Sequence, residues 1–198
     1  MQNYIDNLYR FIVKNIPEGS RVLDLGCGDG TLLELLEKEK KVQATGIDIS
    51  GSDLNKALAK GLSVLQADID KGLQDYNDDS FDYVLLSYTL QELQKPALVV
   101  NEMLRVGKQA IVTFPNFGHW SVRLSFFLRG RMPKSRVLPY EWYNTPNIHL
   151  LTIKDFKSFC QKREIKIIKK FAFNSRSLQM PGFLANLFAT HCVFIIKK

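Results

Sequence analysis

Three cysteines and three histidines in 198 residues are too few, and too scattered, to build a site among themselves. Cys27, Cys160 and Cys192 are odd in number and far apart, which fits neither a disulfide framework nor a CxxC metal pair, so all three are read as reduced thiols. His119, His149 and His191 form no HxH or HxxxH pair, and no metal site is expected. Long apolar runs are also missing. The longest, 182–196, is broken by Asn186 and His191 and falls short of the roughly 18 residues that suggest a membrane span. Residues 1–7 are polar and lack the basic and then apolar order of a secretory signal, so a cytoplasmic protein with no membrane attachment is expected. No serine has the GxSxG context of an acyl-transfer nucleophile. What is present, 45% apolar residues with 24% charged, fits one domain over 1–198 with a full hydrophobic core.

The net charge of +7 raises the question of nucleic acid, because basic proteins gain such affinity by neutralising phosphates. Its distribution argues otherwise. Lys162, Arg163, Lys166, Lys169 and Lys170 surround a strand-like segment as a solvated face would. Only Arg123, Arg129, Arg131, Lys134 and Arg136 cluster densely among aromatics, and a solvated surface or a protein-docking patch explains them better than nucleic acid does.

Periodicity predicts a helix over 3–15, a strand over 21–25, a helix over 31–38 and a strand over 42–49. The alternation continues with a helix over 52–60 stopped by Gly61, a strand over 63–67 and a buried central strand over 81–87. Pro96 starts a helix that runs to Arg105 and is stopped by Gly107, before a strand over 109–114. Segments 164–173 and 191–196 read as closing strands, with a turn and short helix over 181–189 between them. The fold class expected is α/β: a Rossmann-like, doubly wound, seven-stranded sheet, mostly parallel with the last strand antiparallel, in three α/β/α layers. Residues 115–151 are too long for a connector and too aromatic for disorder, so they read as a cover, helical in part over 120–128. Thr152 and Asp155 resemble the capped start of a helix reaching Lys162.

The segment VLDLGCGDG, residues 22–30, carries the clearest chemistry. Gly26, Gly28 and Gly30 remove side chains where a strand turns into a helix, and leave backbone N–H groups expected to meet a ligand directly. Asp24 and Asp29 would repel a pyrophosphate and attract an ammonium or sulfonium. S-adenosyl-L-methionine has both cations and no phosphate. Ligands of open α/β sheets lie at the carboxyl ends of the strands, which here deliver Asp24, Gly26 and Gly28, then Asp48 with Ile49, then Asp68 with Ile69, then Ser87 and Tyr88. Asp48 suits the ribose hydroxyls, Asp68 the adenine amino group with Ile69 covering the ring, and Ser87 the reacting end. Three acids at three consecutive strand ends are hard to obtain from structural need alone. A dinucleotide GxGxxG is the rival, but the third glycine comes one position early. Asp29 reads as a helix N-terminal charge, Cys27 as a filler of the turn, and Asp70, Asp75, Asp78 and Asp79 as solvated loop acids. No catalytic base is evident. His119, Tyr140, Trp142 and His149 are read either as reaching the pocket mouth or as pins of the cover segment, the second reading being preferred.

A GxGxG turn preceded by an acid resembles the class I S-adenosylmethionine-dependent methyltransferases. PNFGHWSVRLSFFLRGRMP and LPYEWYNTPNIHLLTIKDF, with VLDLGCGDG and FDYVLLSYTLQEL, resemble the MetW family of methionine biosynthesis over nearly the whole chain. That resemblance implies cofactor contacts at Asp24, Gly26, Gly28, Asp48, Asp68 and Ser87, with S-adenosyl-L-methionine, or S-adenosyl-L-homocysteine as product. It also implies a role with homoserine O-acyltransferase in the first committed step toward methionine. The alternative is an active methyltransferase on a small molecule, with 115–151 as lid and acceptor pocket. The sequence FPNF after the fifth strand does not resemble the D/N-P-P-Y/F motif of enzymes that methylate nucleic-acid amino groups.

Overall fold

The computed structural model of the chain describes residues 2–134, 139–175 and 178–198. Its elements in order are α1 (Gln2–Lys14), β1 (Arg21–Leu25), α2 (Thr31–Lys40), β2 (Gln43–Asp48), α3 (Gly51–Ala59), β3 (Val64–Gln66), β4 (Phe81–Ser87), α4 (Pro96–Val106), β5 (Gly107–Pro115), α5 (Trp120–Arg129), α6 (Ile153–Lys162), β6 (Lys166–Phe173), α7 (Ala185–Phe188) and β7 (His191–Lys197). The seven strands form one sheet in the order β3-β2-β1-β4-β5-β7-β6. Pairs from β3 to β5 are parallel, and β7 runs antiparallel to both β5 and β6. The doubly wound sheet expected from the sequence is present, with its reversal of strand order between β1 and β4.

Alternation along the strands divides the core in two. Leu23, Leu25, Val84, Leu86, Ala110, Val112 and Phe194 face α4, α6 and α7, where Val99, Val100, Met103, Phe156 and Cys160 cover them. Val22, Leu85, Ile111, Val193 and Ile195 face the opposite layer, against Leu8 and Ile12 of α1, Leu33 and Leu36 of α2, and Leu54 and Ala57 of α3. Asp24, two residues from Val22, shares the parity of this second face. It is nevertheless buried, which is the first sign that its position is not set by packing.

Local signals act as expected in most places. Thr152 and Asp155 form a reciprocal capping box at α6, and Ser50 caps α3 by accepting from the Asp53 amide. Gly107 ends α4 for a different reason than the one expected, since its backbone is extended and not left-handed. A Cβ there would lie 2.5 Å from Val84 Cγ2, so close packing of β5 on β4 requires the glycine. Asp70 and Asp78 are not merely solvated. Asp70 accepts from the amides of Gln94 (2.9 Å) and Lys95 (2.7 Å) and so serves the start of α4, whose own N-cap side chain makes no such bond. Asp78 pairs with Arg105 at 2.8 Å.

The cover segment contains α5, close to the expected 120–128, and is anchored at its root by Asn116. This fully buried amide donates to the carbonyls of Asn186 and Ala189 and accepts from the amides of Gly118 and Ile153. His119 caps α5, as a pin should. Tyr140 and Trp142 do not pin anything, being half and three-quarters exposed. Arg136 of the basic cluster lies outside the described residues. Cys27, Cys160 and Cys192 are free and buried, and burial raises the thiols of Cys27 and Cys160 to about 12 and about 11. Among the described residues no helix is long and apolar enough to cross a membrane, and no three His, Cys, Asp or Glu side chains are grouped to hold a metal ion.

Candidate functional site

The glycine turn after β1 differs from the expectation in one respect that bears on its ligand. Four of its five amides are already used: Gly26 and Cys27 donate to the Ile47 carbonyl, Gly28 donates to Asp48 Oδ2 at 2.7 Å, and Gly30 donates to the Cys27 carbonyl. Thr31 donates to Asp29 Oδ1. A phosphate cradle needs several of these N–H groups pointing outward, and here those four point to acceptors in the protein. The glycines themselves also divide by role. A Cβ on Gly26 would lie 2.4 Å from Thr89 Oγ1 and one on Gly30 2.4 Å from Leu62 Cδ1, so these two permit close packing. Gly28, at φ +54°, meets nothing within 4 Å, so it presents bare backbone to open space.

Asp24 lies beneath this turn. Its Oδ1 is buried and has no hydrogen-bond partner among the described residues. Burial first, and then the charge of Asp48, raise its carboxyl to about 8. An unpartnered carboxyl at this depth either keeps its proton or waits for a cation.

Asp48 closes the second strand. Besides Gly28 it accepts from the Ser50 amide, through Oδ1 at 2.8 Å. Each oxygen thus holds one amide and keeps one lone-pair direction for a further donor. Ile49 beside it is 68% exposed, an apolar face at the strand end. Asp68 accepts from the Asp70 amide through Oδ1 and lies 3.9 Å from Lys71 Nζ, a separation that leaves it open to another donor. Ile69 is only 8% exposed and packs in the core, so it offers an edge where a covering face was expected. Ser87 shares a hydrogen bond with Thr113 at 3.2 Å, and Tyr88 follows in left-handed backbone at φ +58°. A tyrosine in that conformation is strained, and such strain collects at functional turns.

Sequence reasoning missed three contributors. Tyr9 of α1 comes near enough to feel the turn: burial, then Asp24, Asp29 and Asp6, push its hydroxyl above the usual phenol range. The Glu92 carboxyl is raised by burial and by Asp48. Gln91 is buried, donates through Nε2 to the Tyr88 carbonyl, and leaves Oε1 without a partner. Its carbonyl accepts from the amides of Ile148 (2.8 Å) and His149 (3.0 Å), while His149 Nε2 is buried without a partner. Only the acid of Glu92 was visible as a signal, since the others are placed by helix packing and loop return. Asp29 serves the start of α2 and pairs with Lys60 at 3.4 Å, the helix-end role read for it. Asn116 has all its hydrogen-bonding capacity engaged, so it has none to spare for a substrate amine.

A sheet of this order, with an acid and a glycine turn at the switch point and acids on the next two strand ends, is the fold of the class I S-adenosylmethionine-dependent methyltransferases. A methyltransferase of that dependence from Archaeoglobus fulgidus superposes with a TM-score of 0.70 at 17% identity, over all of this chain and 95% of the other. The [4+2]-cyclase SpnF superposes equally well, with a TM-score of 0.70 at 18% identity over 98% of this chain and 81% of its own, so the fold does not fix the reaction. Sequence is more specific. The chain belongs to the MetW family, "Methionine biosynthesis protein MetW", which it matches over residues 6–196. The "Bifunctional methionine biosynthesis protein MetXA/MetW" of Rhodopirellula baltica is 36% identical over 165 residues, 79% of this chain. The match spans about a quarter of that relative, 26% of its length.

Proposed function

We propose that this methyltransferase-like protein of methionine biosynthesis binds S-adenosyl-L-methionine at the ends of β1 to β4 and acts as the partner and activator of a homoserine O-acyltransferase. The ligand reading is carried by Asp24, a buried carboxyl whose Oδ1 has no partner among the described residues, beside a turn that has spent four of its five amides. A cation favours ionisation of Asp24, whose carboxyl otherwise keeps its proton, and the carboxyls of Asp48 and Glu92 stand near it, so the site suits an ammonium and a sulfonium better than any phosphate. The residues fit the rest of the molecule: Asp48 has acceptor capacity for two ribose hydroxyls, Asp68 for the adenine amine, and Ile49 with the edge of Ile69 for the ring. Gly28 lets the backbone come close, Gly26 shapes the turn by packing on Thr89, and Ser87 lies at the end of β4. When bound, the ligand supplies a methyl group made electrophilic by its sulfonium.

The partnership is supported by the relative in which MetXA and MetW share one chain, MetXA being read as the acyltransferase. This chain has no GxSxG serine to acylate homoserine itself. Because S-adenosyl-L-methionine is made from the pathway's product, its occupancy reports methionine sufficiency, which requires different affinity for the partner with and without ligand. The test is acyltransferase activity and complex affinity measured with this chain absent, present, and present with ligand. Unchanged activity on adding the chain defeats the activator reading, and equal affinities defeat the sensor.

A second reading, methyl transfer to a small molecule, is favoured by the buried Gln91 Oε1 in the turn after β4 and the buried His149 Nε2 of the cover segment, neither with a partner among the described residues. Positioning and desolvation suffice for transfer from a sulfonium, so the lack of a base does not exclude it. A labelled-methyl assay on extract depleted of its own methyltransferases decides between the two. A labelled metabolite that depends on this chain supports the enzyme.

A further inference from the structure

Along the cover segment runs an apolar face that the described part of the chain leaves in water. α5 has no buried residue: Phe127 is 84% exposed, Leu128 69%, and Trp120, Leu124 and Phe126 about half. Segment 139–150 adds Trp142, 75% exposed, and Tyr143, whose rings pack edge to face. Ten residues are too few for a helix to hold in water by its own bonds. This one is held at its ends instead. His119 Nδ1 accepts from the Ser121 amide, Arg123 Nε donates to the Gly118 carbonyl at 2.6 Å, and left-handed Gly130 donates to the Phe126 carbonyl at 2.9 Å. Secure ends combined with exposed aromatics fit an element that docks rather than one that builds the core.

Charge narrows the occupant. The 38 residues from Met103 to Tyr140 contain no acid. Arg105 and Lys108, outside the exposed face, pair with Glu102, Asp78 and Asp82, and Lys134 pairs with Glu141, whereas Arg123, Arg129 and Arg131 have no acidic partner among the described residues. A second copy would press like charges together. A different protein with an apolar patch bordered by acids is the complement.

We propose that α5 and segment 139–150 form the docking surface for the homoserine O-acyltransferase, which presents an acid-rimmed apolar patch to it. This rests on the partnership reading above. The same segment is bonded to the ligand end of the sheet, since Ile148 and His149 donate to the carbonyl of Gln91 in the turn after β4. Ligand occupancy and docking therefore share one piece of backbone.

The experiment is titration calorimetry of the full-length chain against the acyltransferase of the same cell, using wild type, Phe127→Asp and Arg129→Glu. Circular dichroism and S-adenosyl-L-methionine affinity serve as controls of folding. Both variants should keep the ligand, Phe127→Asp should weaken the complex at least about tenfold, and Arg129→Glu should weaken it by less, the difference shrinking at high salt. Should Phe127→Asp fail to fold, Arg129→Glu alone carries the test, as an exposed charge. Wild type that does not bind the acyltransferase overturns both the partnership and this surface. Wild type and both variants binding equally overturns the surface and leaves the partnership standing. Vesicles of anionic lipid and sedimentation of the chain alone complete the set. Loss of vesicle binding or of a dimer in the variants, with the complex intact, would assign the face to a membrane or to a second copy and overturn the proposal.

Discussion

The amide of Gly28 donates to Asp48 Oδ2 at 2.7 Å, joining the turn after the first strand to the carboxylate that ends the second. With the Ser50 amide on Oδ1, that one side chain organises both walls of the candidate site. Asp48→Ala should therefore remove two acceptors for the ligand and also release two amides that shape the pocket. Affinity for S-adenosyl-L-methionine should fall by about 1 to 3 kcal/mol without global unfolding. Calorimetry on the two proteins measures it, and equal affinities would remove the ribose assignment.

Asp24 makes the site pH-dependent in a direction that follows from its burial. Its carboxyl is raised from 3.8 to about 8, so the folded chain holds a proton that the unfolded chain releases near pH 4. The unfolded state binds fewer protons between those limits, and stability falls as pH rises from about 4 to about 8. Asp24→Asn should flatten that slope in urea titrations across this range. A cationic ligand should expel the proton, so wild-type affinity should rise with pH up to about 8, with proton release at pH 7 seen as a buffer-dependent binding enthalpy. A binding enthalpy independent of buffer would show that the carboxyl is already ionised.

The glycines can be told apart by substitution. Gly26→Ala places a methyl 2.4 Å from Thr89 Oγ1 at φ +74° and should destabilise the fold. Gly28→Ala meets nothing in the protein and costs only the left-handed backbone, about 1 to 2 kcal/mol. It should remain folded yet lose ligand affinity, because the new methyl occupies the open side. Melting temperature and ligand titration on each variant separate the two roles, and full ligand affinity in Gly28→Ala would place the ligand elsewhere.

Asn116 is predicted to matter for stability alone. Asn116→Ala strips partners from two buried amides and two carbonyls that hold β5, α6 and the 181–189 segment together. A loss of about 2 to 4 kcal/mol is expected in denaturant titration, with the ligand affinity of the folded fraction unchanged. A selective loss of ligand binding would instead give the residue a place in the site.

Periodicity and glycine placement were enough to read the alternating strands and helices and the switch point, and the acids at 24, 48 and 68 marked the strand ends that form the candidate site. These are local signals, because strands repeat every two residues, helices every 3.6, and the loops at strand ends are short. The pins of the cover segment were only partly legible: His119 caps a helix, whereas Tyr140 and Trp142 stand in solvent. Asp70 looked like a loop acid because the amides it serves, at 94 and 95, are brought to it only by the turn after β4.

The glycine turn shows where the division falls. Sequence alone determined that a strand turns sharply into a helix at residues 26–30, since only glycine tolerates those backbone angles at little cost. Only the tertiary structure decided what the turn does with its amides. Those of Gly26, Cys27 and Gly28 go to Ile47 and Asp48, partners that the parallel pairing of β1 with β2 brings within reach, and that of Gly30 goes back to Cys27 in the turn, while the buried Asp24 Oδ1 keeps no partner among the described residues.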